Sequence, residues 1–362
     1  MSRRRVLLIF GGRSAEHDVS RVTATSVARA LDPERYEVVP IAIDRDGRWL
    51  DAAEARALLA QPTAAAPPDG LPVSGEPVPA IGAAVAEPAA GALAVDVVLP
   101  LVHGPYGEDG TLQGLLELAG LPYVGSGVLG SAVGMDKAMM KRALVAAGLP
   151  VAAWREHRDG DDPEATCDAA IAELGLPLFV KPANMGSSVG VSKAHDRDEL
   201  CRALALALVY DEWVVIEEAI EGREIEVSVL GDLHPEASRP GEIVPGAEFY
   251  TYADKYEDGA AQLIAPADLS PDQEATVRAL AVDAFRACRL EGMARVDFFL
   301  AAWGRGFLVN EVNTIPGFTP ISMYPRLWEI SGLPYPMLLD RLIDLAIERH
   351  ARRAARAGRG RG

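Results

Sequence analysis

Two carboxylates and an amide lie inside a segment that otherwise has the pattern of a buried β-hairpin. Residues 294–317 contain two apolar runs on either side of a glycine-rich turn at 304–306, which predicts a hairpin. Asp297 and Glu311 lie within the apolar runs, where a buried carboxylate is costly unless a cation compensates it. Glu311 and Asn313 share one face of their strand, and the turn brings Asp297 back opposite them. Three oxygen ligands without a neighbouring Cys or His predict a site for Mg²⁺ rather than for zinc.

Arg295 offers a second interpretation of the buried charge. This arginine lies two residues from Asp297, so the two side chains share a face of the strand. An ion pair between them would compensate the carboxylate without a metal, because structural ion pairs perturb charges without taking part in catalysis. The residues of the hairpin leave the metal site and the plain ion pair as alternatives.

A loop of small residues directly follows another candidate group, Lys181. This lysine ends a buried strand predicted at 176–182, and the residues after it include Gly186, Ser187 and Gly190. Backbone N–H groups in such a loop can close over phosphate oxygens. The chain contains no Gly-Lys dipeptide, so GxxxxGK[ST] is absent and a P-loop fold is not expected.

Two loops at the ends of predicted strands supply Glu16 and His103. The run RVLLIF (5–10) precedes the loop of Glu16, and a strand at 95–102 leads into His103. Ligands of open α/β sheets bind at the carboxyl edge of the strands, so Glu16 is a candidate to contact a cation or ammonium group and His103 to orient a substrate. The structural alternatives are that Glu16 stabilises a helix N-terminus and that His103 satisfies a loop carbonyl.

The spacing of apolar and polar residues predicts the elements that hold these side chains. A buried strand, a glycine-opened loop and a helix at 19–31 begin the chain, which indicates an α/β domain. Further helices are predicted from 111, at 135–144, 162–174, 196–209 and 270–288, and from about 337, and further strands at 36–44, 189–194, 212–220 and 223–230. In the helix at 135–144, Lys137 and Lys141 are one turn apart and would share a solvated face.

Two stretches lack this periodicity. Residues 51–91 are rich in Ala and Pro and have the pattern of a variable insertion. The stretch at 246–266 is long, aromatic and charged, which is typical of a lid over a site. The arginine-rich C-terminal tail is most simply a solvated end.

Composition limits the classes of protein to consider. The chain has 362 residues, 49% of them hydrophobic and 24% charged, which is ordinary for a globular protein of two or three domains. Its net charge of −17 argues against general nucleic-acid binding, which depends on Lys and Arg neutralising phosphates. Three widely spaced cysteines predict neither a disulfide framework nor a zinc site. Because the first apolar run fits neither a signal peptide nor a membrane span, we expect a cytoplasmic protein without a membrane partner.

Seven segments, in order and over nearly the whole chain, resemble the D-alanine:D-alanine ligases of the ATP-grasp superfamily. They are GGRSAEHDVS (11–20), HGPYGEDGTLQG (103–114), MDK (135–137), VKPANMGSSVG (180–190), DKY (254–256), ARVDFFL (294–300) and NEVNTIPGFTPISMYP (310–325). The resemblance implies an α/β fold of three domains, in which an N-terminal open α/β domain precedes two α+β domains that sandwich ATP. The implied domains are 1–130, with the insertion at about 51–94, then 131–220, and then 221–362 with the lid and the metal site.

The resemblance also assigns nucleotide and metal residues. It implies ATP as a substrate and two Mg²⁺ ions, which Mn²⁺ could replace, on Asp297, Glu311 and Asn313, the residues that the hairpin pattern suggests. The nucleotide-binding residues that it implies are Lys137, Lys181, Ser187, Glu217, Ile220, Glu224, Phe249, Lys255 and Phe299.

The resemblance implies a two-step reaction for peptidoglycan precursor synthesis. ATP phosphorylates the carboxylate of one D-alanine, and the amine of a second D-alanine attacks the acyl phosphate. Glu16, Ser187 and Tyr256 would form a hydrogen-bonded chain over the site, while Arg295 and the N–H of Gly317 hold the developing oxyanion. The implied substrate-binding residues are Glu16, Val19, His103, Gly317, Ser322 and Met323. The family pattern also suggests a homodimer.

Tyr256 bears on the identity of the second substrate. Family members that make depsipeptides with D-lactate tend to carry Phe at the matching position, so Tyr256 favours D-alanine as the acceptor. A ligase that uses D-lactate or D-serine is the alternative within the family.

Three interpretations from other classes have less support. Residues 186–190 fit GxSxG with Ser188 as a hydrolase nucleophile, but that motif requires a helix directly after the serine, and 189–194 alternates like a strand. The run GSGVLG (125–130) fits GxGxxG, but it lies outside the first βα turn and lacks the following acid of a dinucleotide site. A ligand-binding protein without catalysis would not need the metal candidates together with the lysines.

Overall fold

The computed structural model describes residues 3–60, 95–246 and 262–357, and the strands in these ranges form three sheets. The strands of the first sheet are β1 (Arg4–Gly11), β2 (Tyr36–Ile43), β3 (Trp49–Leu50) and β4 (Val97–Pro100), and its helices are α1 (His17–Ala30), α2 (Ala52–Ala60) and α3 (Thr111–Leu118). The strand order is β3-β2-β1-β4, and β1 pairs in parallel with both β2 and β4. Because β1 and β4 are parallel, the loops that follow them meet at one edge of the sheet.

The second sheet follows two short helices, α4 (Val128–Met135) and α5 (Lys137–Ala146). Its strands are β5 (Trp154–Arg158), β6 (Leu178–Pro182), β7 (Ser192–Ala194) and β8 (Trp213–Glu218), and its helices are α6 (Pro163–Leu174) and α7 (Arg197–Ala207). The order is β5-β8-β6-β7 with antiparallel neighbours. Asp162 and Asp196 accept hydrogen bonds from the first-turn N–H groups of α6 and α7, which explains where each helix begins.

The third sheet contains the predicted hairpin. Its strands are β9 (Gly222–Gly231), β10 (Glu236–Ala237), β11 (Gly241–Val244), β12 (Gln262–Ile264), β13 (Gly292–Ala301) and β14 (Gly306–Asn313), and the helices of this region are α8 (Pro271–Ala287), α9 (Met323–Ile330) and α10 (Tyr335–Ala357). The path runs β12-β11-β9-β13-β14, and β10 pairs with β9. Antiparallel pairing of β9 with β13 over ten residues makes this pair the rigid centre of the sheet.

The C-terminal helix α10 returns to the first sheet. Leu338 is buried in one apolar core with Val6 and Leu8 of β1 and with Leu230 and Met293 of the third sheet. Burial of apolar side chains in a shared core is the main favourable term in folding. The first and third sheets are therefore fixed to each other, and with them the two sides of the space between.

The α/β class and the hairpin are confirmed by these elements, while the strand predicted at 189–194 is shorter than expected. It covers Ser192–Ala194. Ser187, Ser188 and Gly190 have φ angles of 49°, 59° and 72°, and this left-handed backbone turns the chain before the strand begins.

The first residues of the predicted insertion form a helix. Residues 52–60 form α2, and Asp51 starts this helix by accepting a hydrogen bond from the N–H of Glu54 at 2.9 Å. Ala and Leu are strong helix formers, so a stretch rich in them can fold as a helix despite weak periodicity. Residues 61–94 lie outside the described part of the chain.

The described ranges contain no helix with the length and apolar character needed to cross a membrane. Cys167, Cys201 and Cys288 are free thiols. The sulfur atoms of Cys167 on α6 and Cys201 on α7 lie 2.7 Å apart, although the two residues are distant in sequence.

Candidate active site

A cavity of about 1470 Å³ is lined by residues from the segments of all three sheets. The predicted site residues on its wall are Glu16, Val19, His103, Lys137, Lys181, Ser187, Glu217, Ile220, Glu224, Arg295, Asp297, Phe299, Glu311, Asn313, Gly317, Ser322 and Met323. Phe249, Lys255 and Tyr256 lie outside the described residues. The fold thus gathers around one space residues that the sequence distributes over nearly the whole chain.

The hairpin has the register that places its polar side chains together. Asp297 is paired with Glu311 and Arg295 with Asn313 across β13 and β14. On its other side, Asp297 is the partner of Glu226 on β9. The two carboxylates and the amide therefore lie on one patch of the sheet, as the spacing and the turn predicted.

Arg295 lies among the carboxylates of this patch. Its Nε and Nη2 atoms each lie 2.7 Å from an oxygen of Asp297, and Nε lies 3.3 Å from Glu226 Oε1. Burial would lower the pKa of Arg295, but the charges of Asp297 and Glu226 outweigh it and raise the pKa well above its usual value. The ion pair of the alternative interpretation is therefore present, and Arg295 is a permanent cation on the cavity wall.

The donor set on this patch has the chemistry of a magnesium site. Among the described residues, no three His, Cys, Asp or Glu side chains converge as a metal cage. The candidate oxygen donors are the carboxylates of Asp297 and Glu311 and the amide of Asn313. The amide nitrogen of Asn313 donates to Asp297 Oδ2 at 2.9 Å, which leaves the amide oxygen as its acceptor atom. Carboxylate and amide oxygens are hard ligands of the kind that Mg²⁺ takes in proteins. The donor atoms fit the ion by type.

Glu16 connects the loop after β1 to the small-residue loop after β6. Its Oε1 accepts a hydrogen bond from Ser187 Oγ, 171 residues away in the chain. A Cβ atom on Gly104 would lie 2.9 Å from Glu16 Oε2, and Gly104 has a φ angle of 75°, so this position favours glycine. Glu16 occupies the N-cap position of α1, as the structural alternative predicted, but within the described residues its carboxylate makes no capping hydrogen bond.

The loop after β6 is held in a strained turn beside a lysine. Ser187 and Ser188 have left-handed backbone angles, which non-glycine residues adopt rarely and at a cost. The ammonium group of Lys137 donates to the carbonyl oxygen of Met185 at 2.5 Å. A positive charge therefore lies at the base of this loop of small residues.

Lys181 belongs to a buried ion cluster. Its Nζ lies 3.2 Å from Glu217 Oε2, and the Nζ of Lys141 lies 3.5 Å from Glu217 Oε1. Burial would raise the pKa of Glu217, but the ammonium groups of Lys141 and Lys181 outweigh it and lower the pKa.

Burial lowers the pKa of Lys141, and the charge of Glu217 opposes this effect. Lys141 is fully buried, so the expectation that it shares a solvated face with Lys137 is wrong: the strand that carries Glu217 covers it.

Replacing Glu217 with Gln destabilises the protein. The change leaves Lys141 buried without its carboxylate, which costs about 3 kcal/mol of unfolding free energy. Because the folded pKa of Glu217 lies below the unfolded value of about 4.3, the deficit is complete above that pH and disappears as the pH falls through the lowered pKa. Urea unfolding at neutral and at successively lower pH measures it. Glu212→Gln, at an exposed position beside the same strand, is the control, and equal stability of the two variants at pH 7 would contradict this interpretation.

His103 holds a backbone carbonyl of the segment after the hairpin. Its Nδ1 lies 2.9 Å from the oxygen of Ile315, and its Nε2 lies 3.4 Å from Thr23 Oγ1. Burial lowers the pKa of His103, and the nearby charge of Glu16 opposes this. The structural alternative for this residue is therefore realised, although the ring also lines the cavity.

Glu108 is a residue that the sequence reasoning missed. Its two oxygens accept hydrogen bonds from the N–H of Gly104 at 2.7 Å and of Ile315 at 2.9 Å. Burial and then the charge of Glu16 raise the pKa of Glu108 to about 8, while the two N–H groups lower it. The sequence shows only that Glu108 lies five residues after His103 in the same glycine-rich loop. This position does not reveal that its partner is Ile315, which is distant in the chain.

The start of α9 forms another part of the wall. Ser322 directly precedes this helix, and its Oγ accepts a hydrogen bond from the N–H of Thr319 at 3.1 Å. A Cβ atom on Gly317 would lie 3.2 Å from Ser322 Oγ. Free N–H groups and the helix dipole make such a terminus suitable for a carboxylate.

The residues implied for adenine and ribose come from the second and third sheets and the connection between them. Phe299 of β13 and Glu224 of β9 are register partners, and Ile220 lies in the connection before β9. Glu218 accepts two hydrogen bonds of 2.8 Å from Arg305. All of these side chains line the cavity.

The motifs of the rival interpretations lie in other surroundings. After Ser188 the chain turns and enters β7, where a GxSxG nucleophile would require a helix. Gly125, Gly127 and Gly130, all within the described ranges, lie outside the cavity wall. The carbonyl of Gly125 instead accepts a hydrogen bond from the buried Arg349 of α10.

Two family models match the chain. Residues 5–126 match the model described as "D-ala D-ala ligase N-terminus", and residues 143–344 match "D-ala D-ala ligase C-terminus". The D-alanine–D-alanine ligase of Geobacillus thermodenitrificans is 50% identical over 358 residues, with 96% of each chain covered. That of Solibacter usitatus is 48% identical over 346 residues, again with 96% of each chain covered.

Solved structures agree with these matches. The D-alanine-D-alanine ligase from Coxiella burnetii superposes with a TM-score of 0.82 at 37% identity, covering 98% of this chain and 97% of that one. The VanG D-Ala:D-Ser ligase from Enterococcus faecalis gives a TM-score of 0.79 at 32% identity, covering 95% and 100%. The three-sheet architecture is accordingly the ATP-grasp fold that the motifs implied. On the identity, the coverage and the two family models, this chain belongs to the D-alanine–D-alanine ligase family.

Proposed function

We propose that this protein joins two D-alanine molecules into D-alanyl-D-alanine at the expense of ATP, for peptidoglycan precursor synthesis. Its curated relatives are named for this reaction. The observation that carries the proposal is the contact of Glu16 with Ser187, which brings a carboxylate of the first sheet and the loop of the second to the cavity that also contains Arg295 and Asp297. In this proposal Glu16 binds an ammonium group, the loop of Ser187 covers the phosphates, and Arg295 stabilises an oxyanion, all around one cavity.

We propose that this space lies between three domains, 1–130, 131–220 and 221–362, with ATP between the second and the third. Each of these ranges contains one of the three sheets. The residues proposed to bind the nucleotide are Lys137, Lys181, Ser187, Glu217, Ile220, Glu224, Phe249, Lys255 and Phe299. The lysines supply the positive charge that the phosphates need, and the small-residue loop supplies N–H groups.

Asp297, Glu311 and Asn313 are the proposed holders of two Mg²⁺ ions, for which Mn²⁺ can substitute. Ions bound there would neutralise charge on the phosphate oxygens during transfer. Support comes from the oxygen donor set and from its place on the cavity wall. Arg295 also compensates the charge of Asp297.

In the first step Glu16 binds the ammonium group of the first D-alanine and orients its carboxylate. A carboxylate oxygen attacks the γ-phosphorus of ATP, the bond to the ADP oxygen breaks, and an acyl phosphate and ADP result. Ser187 and Tyr256 close the loop and the lid over the reactants through the hydrogen-bonded chain that begins at Glu16. Closure excludes water, which would hydrolyse the acyl phosphate.

In the second step Ser322 and the N–H of Met323 receive the carboxylate of the second D-alanine at the start of α9. Its amine attacks the acyl carbon, phosphate leaves with the electron pair of its bond, and the amine loses a proton. Arg295 and the N–H of Gly317 stabilise the negative oxygen of the tetrahedral intermediate. Val19 and His103 border the first substrate, and His103 also orients the backbone near Gly317.

D-Alanine is the expected second substrate. We expect D-alanyl-D-alanine to form at least about tenfold faster than the product with D-lactate at pH 7, because a site arranged for an amine discriminates against an analogue without one. D-Serine has the amine and is the third acceptor in the comparison. Competition between equal concentrations of the acceptors, with products separated by mass, measures the ratio. Tyr256→Phe should shift the ratio toward D-lactate. Equal use of D-lactate by the unmodified protein would overturn the assignment.

The activity is tested by incubating the purified protein with Mg-ATP and D-alanine and following phosphate release. Phosphate and D-alanyl-D-alanine in equal amounts are expected, with no turnover of L-alanine. Phosphate with another product would retain the fold and change the substrate. Nucleotide binding without turnover of any amino acid would favour the ligand-binding interpretation, and release of an acyl product without ATP would favour the hydrolase.

We also propose that the protein is a cytoplasmic homodimer, as the family resemblance implies. Sedimentation velocity should give a species of twice the 38.5 kDa chain mass. A monomer at the concentrations used for the assay would remove the dimer from the proposal.

A further inference from the structure

Glu108 connects two loops that border the same side of the cavity. One carboxylate oxygen accepts the N–H of Gly104, four residues earlier in its own loop, and the other accepts the N–H of Ile315, 207 residues later in the chain. Each oxygen thus has a different backbone donor at 2.7 or 2.9 Å.

The peptide groups of Ile315 are held from both directions. Its N–H donates to Glu108, and its carbonyl oxygen lies 2.9 Å from Nδ1 of His103. Both holding residues come from the loop after β4, whereas Ile315 follows β14 of the third sheet. This backbone segment continues through Pro316 to Gly317, so its position depends on a loop of the first domain.

The other bond of Glu108 bears on Glu16. Glu108 fixes the N–H of Gly104, and a Cβ at Gly104 would lie only 2.9 Å from Glu16 Oε2. The backbone at Gly104 therefore lies beside the carboxylate proposed to receive the ammonium group. A displacement of Gly104 toward this carboxylate would crowd Glu16.

We propose that Glu108 is a positioning residue for acyl transfer, whose carboxylate sets the separation between Glu16 and the N–H of Gly317. This inference rests on the proposed function. Glu108 does not react, since its two oxygens are engaged by backbone donors. It fixes the two groups that hold the opposite ends of the first D-alanine, and a small misplacement of such groups costs rate without loss of the fold.

Glu108→Gln tests the proposal, since Gln has the same shape but only one acceptor oxygen for two N–H donors. We expect kcat/KM for D-alanine to fall by about 10- to 100-fold. Because the nucleotide residues lie in the other two domains, KM for ATP should stay within about twofold. The loss should appear in kcat as well as in KM for D-alanine, and the melting temperature distinguishes it from simple unfolding.

Asp109→Asn is the matched control. Asp109 is the next residue of the same loop, and its oxygens accept the N–H groups of Tyr106 and Thr111 at 2.8 and 2.9 Å. Both contacts are local, so Asp109→Asn also removes one of two acceptors but leaves Ile315 untouched. Its kcat/KM for D-alanine should stay close to that of the unmodified protein.

The outcomes are separable from those of the proposed function. If the unmodified protein makes D-alanyl-D-alanine and Glu108→Gln is as active, or loses no more than Asp109→Asn, the positioning role is wrong. The role is also wrong if Glu108→Gln raises KM for ATP as much as KM for D-alanine. If the unmodified protein makes no dipeptide, the proposed function itself fails.

Discussion

Arg295→Lys lowers kcat for dipeptide formation by about 100- to 1,000-fold, the usual effect of removing one oxyanion donor. The guanidinium is held by two 2.7 Å contacts to Asp297 and a third contact, of 3.3 Å, to Glu226, so its position does not depend on substrate. Lysine keeps the charge but cannot reproduce the planar, bidentate arrangement. The two contacts to Asp297 would then be lost, and with them the geometry of the proposed oxyanion donor. Initial rates at saturating D-alanine and ATP measure the effect.

Arg239→Lys is the control for this prediction. Arg239 makes two contacts of 3.2 Å with Glu274, and it lies outside the cavity wall. Because this ion pair lies away from the cavity and is partly exposed to solvent, it contributes little to stability, and activity should not change. A folded Arg295→Lys protein with kcat within tenfold of the unmodified protein would show that Arg295 only compensates Asp297.

Asp297→Asn removes a proposed carboxylate ligand of the metal and should lower ligase activity to less than about one hundredth. The reason is that metal ions supply several kcal/mol of charge stabilisation in such reactions. The response to free Mg²⁺ separates the two interpretations of the hairpin. If Asp297 binds the ion, the concentration of Mg²⁺ for half-maximal rate rises by at least about tenfold. If Asp297 only pairs with Arg295, the Mg²⁺ response is unchanged and the damage is confined to stability.

Asp283→Asn provides the comparison. Asp283 pairs with Arg286 at 3.8 Å on α8, and it lies outside the cavity wall. Its replacement removes the same charge without touching the hairpin, so rate and Mg²⁺ response should both be retained. Removal of Mg²⁺ with a chelator should stop the unmodified protein, and restoration by Mn²⁺ would agree with hard oxygen ligands.

Local patterns in the sequence were sufficient for the hairpin. The turn and the alternation of β13 and β14 predicted that Asp297 faces Glu311, and the register has that pair. The same patterns could not decide whether Asp297 binds a metal or pairs with Arg295, because Arg295 lies on the same face of the strand. The two contacts of Arg295 to Asp297 are consistent with both interpretations. A two-residue periodicity fixes which face a side chain takes, but it does not identify the partner.

Contacts between segments that are distant in the chain could not be predicted from local sequence patterns. The spacing of Lys137 and Lys141 on α5 gives their shared face, yet only the packing of β8 shows that Lys141 is buried against Glu217. Glu108 is similar, since its partner Ile315 belongs to another sheet region. The left-handed turn at Ser187 also shortened a predicted strand, because non-glycine residues with positive φ carry no reliable local signal. Such features depend on tertiary packing, which overrides local propensity.

The acyl-phosphate route is tested most directly with D-alanine carrying ¹⁸O in both carboxylate positions, incubated with Mg-ATP and the unmodified protein. If the carboxylate attacks the γ-phosphorus, one ¹⁸O leaves with the phosphate and the other remains in the amide carbonyl of D-alanyl-D-alanine. Mass spectrometry should therefore find one ¹⁸O in each released phosphate and three in each dipeptide. Dipeptide formation with unlabelled phosphate would contradict the acyl phosphate, and labelled phosphate without dipeptide would contradict D-alanine as the acceptor.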